Sequence, residues 1–237
     1  MNRFKLTNEF NMDITISKQE IINAFHCIFY ANESNHSGPP NLYNGVPIHK
    51  NPLDLFNYQQ ILFEQRPDYI IECGAYQGGS TLYFADILNT IGHGKIISID
   101  ICERQESWYP KVHEHERTIL IEGSSVDKNI VDKVKEIVTG SKSVFVILDS
   151  LHTRDHVLSE MNSYADLLSS GNYMIVEDSN LNGHPLPPQW HSGTMTEGGP
   201  FEAIEKYLSQ NDTLIVDREL ENRFLFSYAP FGYLKKK

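Results

Sequence analysis

The sequence offers little to a disulfide or thiolate-metal framework: its 237 residues hold three cysteines, Cys27, Cys73 and Cys102, with no CxxC pair. An odd, scattered set of this kind reads as small buried apolar residues. No apolar run approaches the ~20 residues that a membrane-crossing helix needs. Positive charge is scarce, with 20 Lys and Arg against 31 Asp and Glu and a net charge of −11. Such a chain repels phosphate backbones and anionic lipid, so neither nucleic acid nor membrane is expected as a partner. The opening MNRFKLTNEFNMD is polar where a secretory signal has its apolar stretch, and a cytoplasmic location is expected. Internal repeats and low-complexity segments are also missing.

What is present is alternation. Short apolar runs at 69–73, 96–101, 117–121, 144–149 and 173–177 are separated by helical patterns, the order expected of a parallel sheet with helices on both faces, an α/β three-layer sandwich. Ser125 is positioned to cap a helix over 126–138, and a helix over 153–168 ends near Gly171. Upstream, Ser17 and Glu20 form a capping-box pattern for 18–30, and Asn51-Pro52 opens a helix over 52–65. Residues 1–45 are expected as an N-terminal helical extension, and 46–237 as the main domain. Within that domain, 200–209 reads as a helix and 213–217 with 223–228 as a closing antiparallel strand pair. Residues 179–200 hold four prolines and four glycines, a long loop inside a domain.

The first strand runs into Glu72-Cys73-Gly74-Ala75-Tyr76-Gln77-Gly78-Gly79-Ser80, a glycine-rich turn whose backbone a ligand can approach closely. The dinucleotide fingerprint fails at Tyr76, and no G-K-[ST] follows for a P-loop. A nicotinamide dehydrogenase is correspondingly disfavoured. Asp100 closes the second strand 22 residues after Gly78, where a carboxylate accepts the hydroxyls of a ribose.

Asp149 and the pair Glu177-Asp178 end neighbouring strands, which gathers hard oxygen ligands suited to Mg²⁺ or another divalent ion at the carboxyl edge of the sheet. Strand alternation points Glu177 and Asp178 to opposite faces unless the chain has already turned. His152, three residues after Asp149, is the candidate base. His152 and His156 could instead clasp zinc, but Thr153 stands where H-E-x-x-H requires glutamate. None of the ten histidines shows the H-x-[DE] spacing of iron oxygenases. His113 and His115 read as exposed loop residues.

The motifs RPDYIIECGAYQGGSTLYFA, IISIDI, IEGSS, ILDSLHTRDHV, YADLLSSGNYMIVEDSNLNG, GGPFEAI and FGYLKK, with GVPIHKNPLDLFNYQQILFEQRPD upstream, resemble the cephalosporin hydroxylase family. That family includes the cephamycin biosynthesis protein and rhamnosyl O-methyltransferases, and the likeness covers about residues 45–235. It departs from the pattern at Leu151, where relatives often carry an acidic residue.

The resemblance implies a class I methyltransferase, Rossmann-like, with a seven-stranded, mostly parallel sheet in the order 3-2-1-4-5-7-6. S-adenosyl-L-methionine would lie over the turn, against Glu72, Gly74, Tyr76, Gly78, Gly79, Ser80, Ser124, Ser125 and Asp149, with Asp100 on its ribose. Asp149, Glu177 and Asp178 would hold Mg²⁺, Asp149 and His152 would serve catalysis, and relatives form homo-oligomers. Trp190 and His191, in the 179–200 loop, suit a lid over the acceptor. The expected activity is metal-assisted O-methylation of a sugar or secondary-metabolite hydroxyl. Two readings compete with it: a hydroxylase or oxygenase component, and a non-catalytic partner that binds the cofactor.

Overall fold

The computed structural model describes residues 3–7, 13–34, 41–101, 110–183 and 197–237. In chain order the N-terminal part contains β1 (Arg3–Thr7), β2 (Asp13–Ser17), α1 (Lys18–Ser34), β3 (Leu42–Tyr43), β4 (Val46–Pro47) and α2 (Pro52–Gln65). There follow β5 (Tyr69–Cys73), α3 (Gly79–Ile91), β6 (Lys95–Asp100), α4 (Pro110–His113), β7 (Thr118–Glu122), α5 (Lys128–Ile137), β8 (Val144–Leu148), α6 (Arg154–Tyr164) and β9 (Tyr173–Val176). The chain closes with α7 (Asn180–Gly183), α8 (Pro200–Gln210), β10 (Leu214–Val216), α9 (Arg218–Glu221) and β11 (Tyr233–Lys236).

Seven strands form one sheet in the order β10-β11-β9-β8-β5-β6-β7. Numbered within the sheet alone, this is the expected 3-2-1-4-5-7-6 read from the far edge. Strands β7, β6, β5, β8 and β9 run parallel, while β11 is antiparallel to both β9 and β10. Alternation divides the core. Ile71, Val146, Leu148, Met174 and Val176 pack with Val134, Met161, Tyr164 and Ile204 on one face. On the other, Ile70, Phe145, Ile147 and Ile175 meet Tyr58, Leu62, Phe84 and Leu88 from α2 and α3. Burial on both faces explains why these strands read as continuous apolar runs.

The caps of α1 and α2 match the sequence. Ser17 N–H donates to Glu20 Oε2 at 2.6 Å while Glu20 N–H donates to the Ser17 hydroxyl at 3.2 Å. Asn51 Oδ1 accepts from Leu53 N–H at 3.1 Å, with Pro52 at the first helical position. The hairpin of β1 and β2 ahead of α1 was not legible in the pattern. Among the described residues, no helix is long and apolar enough to cross a membrane.

Three expectations are corrected. Helix α5 is capped by Asp127, whose side chain accepts from Asn129 N–H at 2.8 Å, because the Ser125 hydroxyl is drawn to Glu160 instead. The helix expected over 153–168 ends at Tyr164 and finishes as a 3₁₀ turn over Ala165–Leu167. The second closing strand is Tyr233–Lys236 rather than 223–228. Residues 223–228 alternate like a strand, but Leu225 takes a left-handed φ of 69°, and the backbone N–H of Tyr228 goes to Asp54 Oδ2 at 2.8 Å rather than to a neighbouring strand.

Asp54 is the anchor for that segment. Buried at 1% exposure, it also accepts from the Tyr233 hydroxyl at 2.5 Å, the Ser227 hydroxyl at 2.7 Å and Asn51 Nδ2 at 2.9 Å. It thereby ties the start of α2 to the C-terminal segment beneath the site. Asp54→Ala leaves several buried donors without an acceptor and is expected to cost about 3 kcal/mol or more, read as a lowered denaturation midpoint with an unchanged slope.

Candidate active site

The glycine turn follows β5, and backbone crowding dictates its composition. At Gly74 a Cβ would stand 2.0 Å from the carbonyl oxygen of Asp149, so only glycine lets the ends of β5 and β8 approach this closely. At Gly79 a Cβ would stand 2.1 Å from the carbonyl oxygen of Pro47, which presses the segment after β4 against the start of α3. Gly78 caps α3 with a left-handed φ of 81°. His49 and Gln77 are joined side chain to side chain at 3.0 Å, and the His49 ring meets that of Tyr76 edge-on.

Glu72 and Ser80 shape this turn from beneath. Glu72 is fully buried; its Oε1 accepts from the Ser80 hydroxyl at 2.5 Å, and its Oε2 accepts from Thr81 at 2.5 Å and Ser98 at 2.7 Å. Burial raises the Glu72 carboxyl above its ordinary range, and the three hydroxyls and Lys50 work against that rise. Tyr76 is half exposed with a left-handed φ of 45°, and its N–H donates to Asp100 Oδ2 at 2.7 Å. Asp100 therefore reaches from the end of β6 to the turn.

Beyond β7, Ser124 is partly buried and Ser125 fully so. The Ser125 hydroxyl donates to Glu160 Oε1, which also accepts from the Ser150 hydroxyl at 2.6 Å. His156 Nε2 lies 3.4 Å from the same carboxylate oxygen, so His156 faces Glu160 and shares no site with His152. His113 is exposed, whereas His115 is partly buried with Nε2 3.4 Å from Asp86 Oδ1. Trp190 and His191 lie outside the described residues.

The three carboxylates do converge. Strand β9 has ended at Val176 and Asp178 takes a left-handed φ of 53°, so the chain turns before alternation separates the acidic pair. Glu72, Asp149 and Glu177 continue the α2–α3 face of their strands. There Lys50 Nζ, 3% exposed, lies 2.5 Å from Asp149 Oδ2 and 2.9 Å from Glu177 Oε1. The Tyr58 hydroxyl donates to Glu177 Oε1 at 2.9 Å. On the other side, His152 Nε2 stands 3.4 Å from Asp149 Oδ1 and 3.1 Å from Asp178 Oδ2.

Charge sets the protonation of this group. Burial lowers the pKa of His152, but the charge of Asp178 and the hydrogen bond and charge of Asp149 outweigh it and lift the ring to about 9. Burial acts the same way on Lys50, and Asp149 and Glu177 reverse it, so the ammonium is firmly held. Asp149 is kept below its ordinary range, because Lys50 and His152 overcome the effect of burial. Asp178 and Glu177 are raised, chiefly by burial.

Asp149, His152 and Asp178 each offer a ligand atom, all within 4.8 Å of one another. The two carboxylates of that set, at the carboxyl edge, fit a hard divalent cation, with the imidazole standing beside them. Sequence reasoning missed Lys50 and Glu160. The available signal for Lys50 was a lone cation between Ile48 and the helix-capping Asn51, in a chain whose clustered acids call for one.

A family model described as Rhamnosyl O-methyltransferase/CmcI matches residues 40–237. The Rhamnosyl O-methyltransferase of Mycobacterium bovis BCG is 38% identical over 196 residues, 81% of this chain and 76% of that protein. The protein of the same name in Mycobacterium leprae is 36% identical over 81% of this chain and 82% of its own length. A solved structure of CmcI with Mg and SAM superposes with a TM-score of 0.58 at 22% identity, covering 85% of this chain and 82% of that one. At that identity the likeness establishes the fold.

Gly79→Ala is expected to force the 47–50 segment off the turn and to destabilise the protein by about 1–3 kcal/mol, measured by thermal denaturation. Gly92→Ala, at a helix end where an added Cβ meets nothing within 4 Å, is expected to show only the smaller strain of its left-handed backbone.

Proposed function

The chain belongs to the rhamnosyl O-methyltransferase/CmcI family, and on that footing we propose that it is an S-adenosylmethionine-dependent, divalent-cation-assisted O-methyltransferase acting on a sugar hydroxyl. A rhamnosyl unit of a surface-polysaccharide precursor is the first acceptor to test, with a sugar-bearing secondary metabolite as the alternative. The observation that carries this reading is the convergence of Asp149, His152 and Asp178 at the end of a strand that also abuts the glycine turn.

In this reading the turn from Gly74 to Gly79, with Tyr76, takes the methionyl part of the donor. Asp100 takes its ribose, and Ser124 and Ser125 border its base. Glu72 and Ser80 support that surface through the hydrogen bond between them. Asp149 and Asp178 hold the cation, with Glu177 behind them on Lys50. Trp190 and His191 are assigned to the acceptor side of the 179–200 loop. A homo-oligomer and a cytoplasmic setting accompany the proposal.

When bound, the divalent ion acidifies the acceptor hydroxyl and the donor supplies an electrophilic methyl group. The chain's own task is to align the two reactants and to hold a proton. His152 is the group that receives it at Nε2. Its raised pKa comes from Asp178 and Asp149. With those carboxylates engaged by a cation, burial would favour the neutral ring that accepts a proton. Methyl transfer needs no covalent intermediate and no O₂.

Purified chain, labelled S-adenosylmethionine and a rhamnosyl acceptor are expected to give a methylated product equally well without oxygen. Removal of divalent metal should abolish turnover, and activity undiminished by chelation would refute the metal's role. Asp149→Ala is expected to eliminate turnover while retaining some donor binding by calorimetry. His152→Ala should lower kcat by about 10²- to 10⁴-fold and remove the acidic limb of its pH profile. Oxygen-dependent turnover would support an oxygenase instead, and failure of the purified chain to form product with any acceptor would support a non-catalytic partner.

A further inference from the structure

Lys50 takes part in none of the steps above, yet its ammonium is the most deeply buried cation of the site. It is also held in place by its neighbours. Ile48 N–H donates to the Asn41 carbonyl at 2.8 Å, His49 is joined to Gln77, and Asn51 caps α2 while its amide donates to Asp54. Gly79 admits the Pro47 backbone to van der Waals distance. The strap from Pro47 to Asn51 therefore crosses the glycine turn and delivers the lysine to the acid cluster in a fixed position.

Asp149 is the shared element. Its Oδ2 is on Lys50, and its Oδ1 faces His152 on the side where Asp178 stands. Glu177, by contrast, is engaged by Lys50 and by the Tyr58 hydroxyl. The grouping of ligand atoms that could hold a metal among the described residues comprises Asp149, His152 and Asp178, without Glu177.

We propose that Lys50 is an internal counter-cation that binds Glu177 and one oxygen of Asp149, and so sets how weakly the remaining oxygens of the cluster take a divalent ion. The proposal rests on the cation-assisted reading above. Two positive charges sharing one carboxylate oppose each other, and at such separations in a partly dry site the opposition amounts to about tenfold or more in affinity. A site built in this way holds Asp149 and Glu177 in fixed positions before the metal arrives. Lys50 acts as a positioning residue, through Asp149 and Glu177.

The test is calorimetric titration of the full chain with MgCl₂. Lys50→Met, which keeps the length of the side chain and removes its charge, is expected to tighten Mg²⁺ binding by about tenfold, whereas Lys50→Arg keeps the charge and should bind Mg²⁺ no more tightly than the unaltered chain. The double variant K50M/E177Q removes one charge of each sign, leaves Asp149 beside the His152 ring and is expected to fold. Its affinity should stay at or above that of the unaltered chain. Unchanged or weakened binding in folded Lys50→Met, or loss of binding in the double variant, would overturn the proposal, the latter by making Glu177 a ligand. If the unaltered chain itself takes no Mg²⁺, the cation-assisted reading fails first, and this inference with it.

Discussion

A single partly buried carboxylate, Asp149, joins the two halves of this site. One oxygen is paired with the Lys50 ammonium and the other faces His152, while the carbonyl of the same residue crowds the turn at Gly74. Desolvation alone would drive such a carboxyl towards neutrality, and the positive groups on either side hold it ionised. The position at the end of β8 follows from the sheet: five parallel strands deliver their carboxyl ends to one edge, and the acidic residues that follow β8 and β9 arrive there.

The frame was legible because it is written in local patterns. Strands buried on both faces appear as short apolar runs, and Asn51-Pro52 or Ser17 with Glu20 announce helix starts through groups that the backbone requires. The convergence of Asp149 and Asp178 was legible for the same reason, since strand ends fix where acids go. The errors occurred where tertiary contacts outweighed local signals. Ser125 resembles a cap until Glu160, 35 residues away, attracts its hydroxyl. Residues 223–228 alternate like a strand until Asp54 takes the N–H of Tyr228 and the hydroxyl of Ser227.

Lys50 was missed for a similar reason. It lies 99 residues before Asp149, in a segment whose local pattern speaks only of a helix start. Its role emerges from the close approach that Gly79 permits and from the strap that the glycine turn holds down. The glycines therefore do more than expose backbone to a ligand. Gly74 brings β5 against β8, Gly79 brings the lysine-bearing segment against α3, and together they place the donor's turn and the acid cluster within one connected piece of backbone. Beneath this surface, Glu72 and Glu160 organise hydroxyls around buried carboxylates, at Ser80, Thr81 and Ser98 in one case and at Ser125 and Ser150 in the other. Such buried polar groups are costly to disturb and fix the shape of the edge.

Anomalous diffraction from crystals soaked in Mn²⁺ with S-adenosylhomocysteine tests the account most directly, because it locates a cation without reference to turnover. The account predicts one strong peak within ligand reach of Asp149 and Asp178, with the Lys50 ammonium still resting on Glu177. A peak in the lysine's own position with that side chain swung away, or no peak at the carboxyl edge at all, would contradict it.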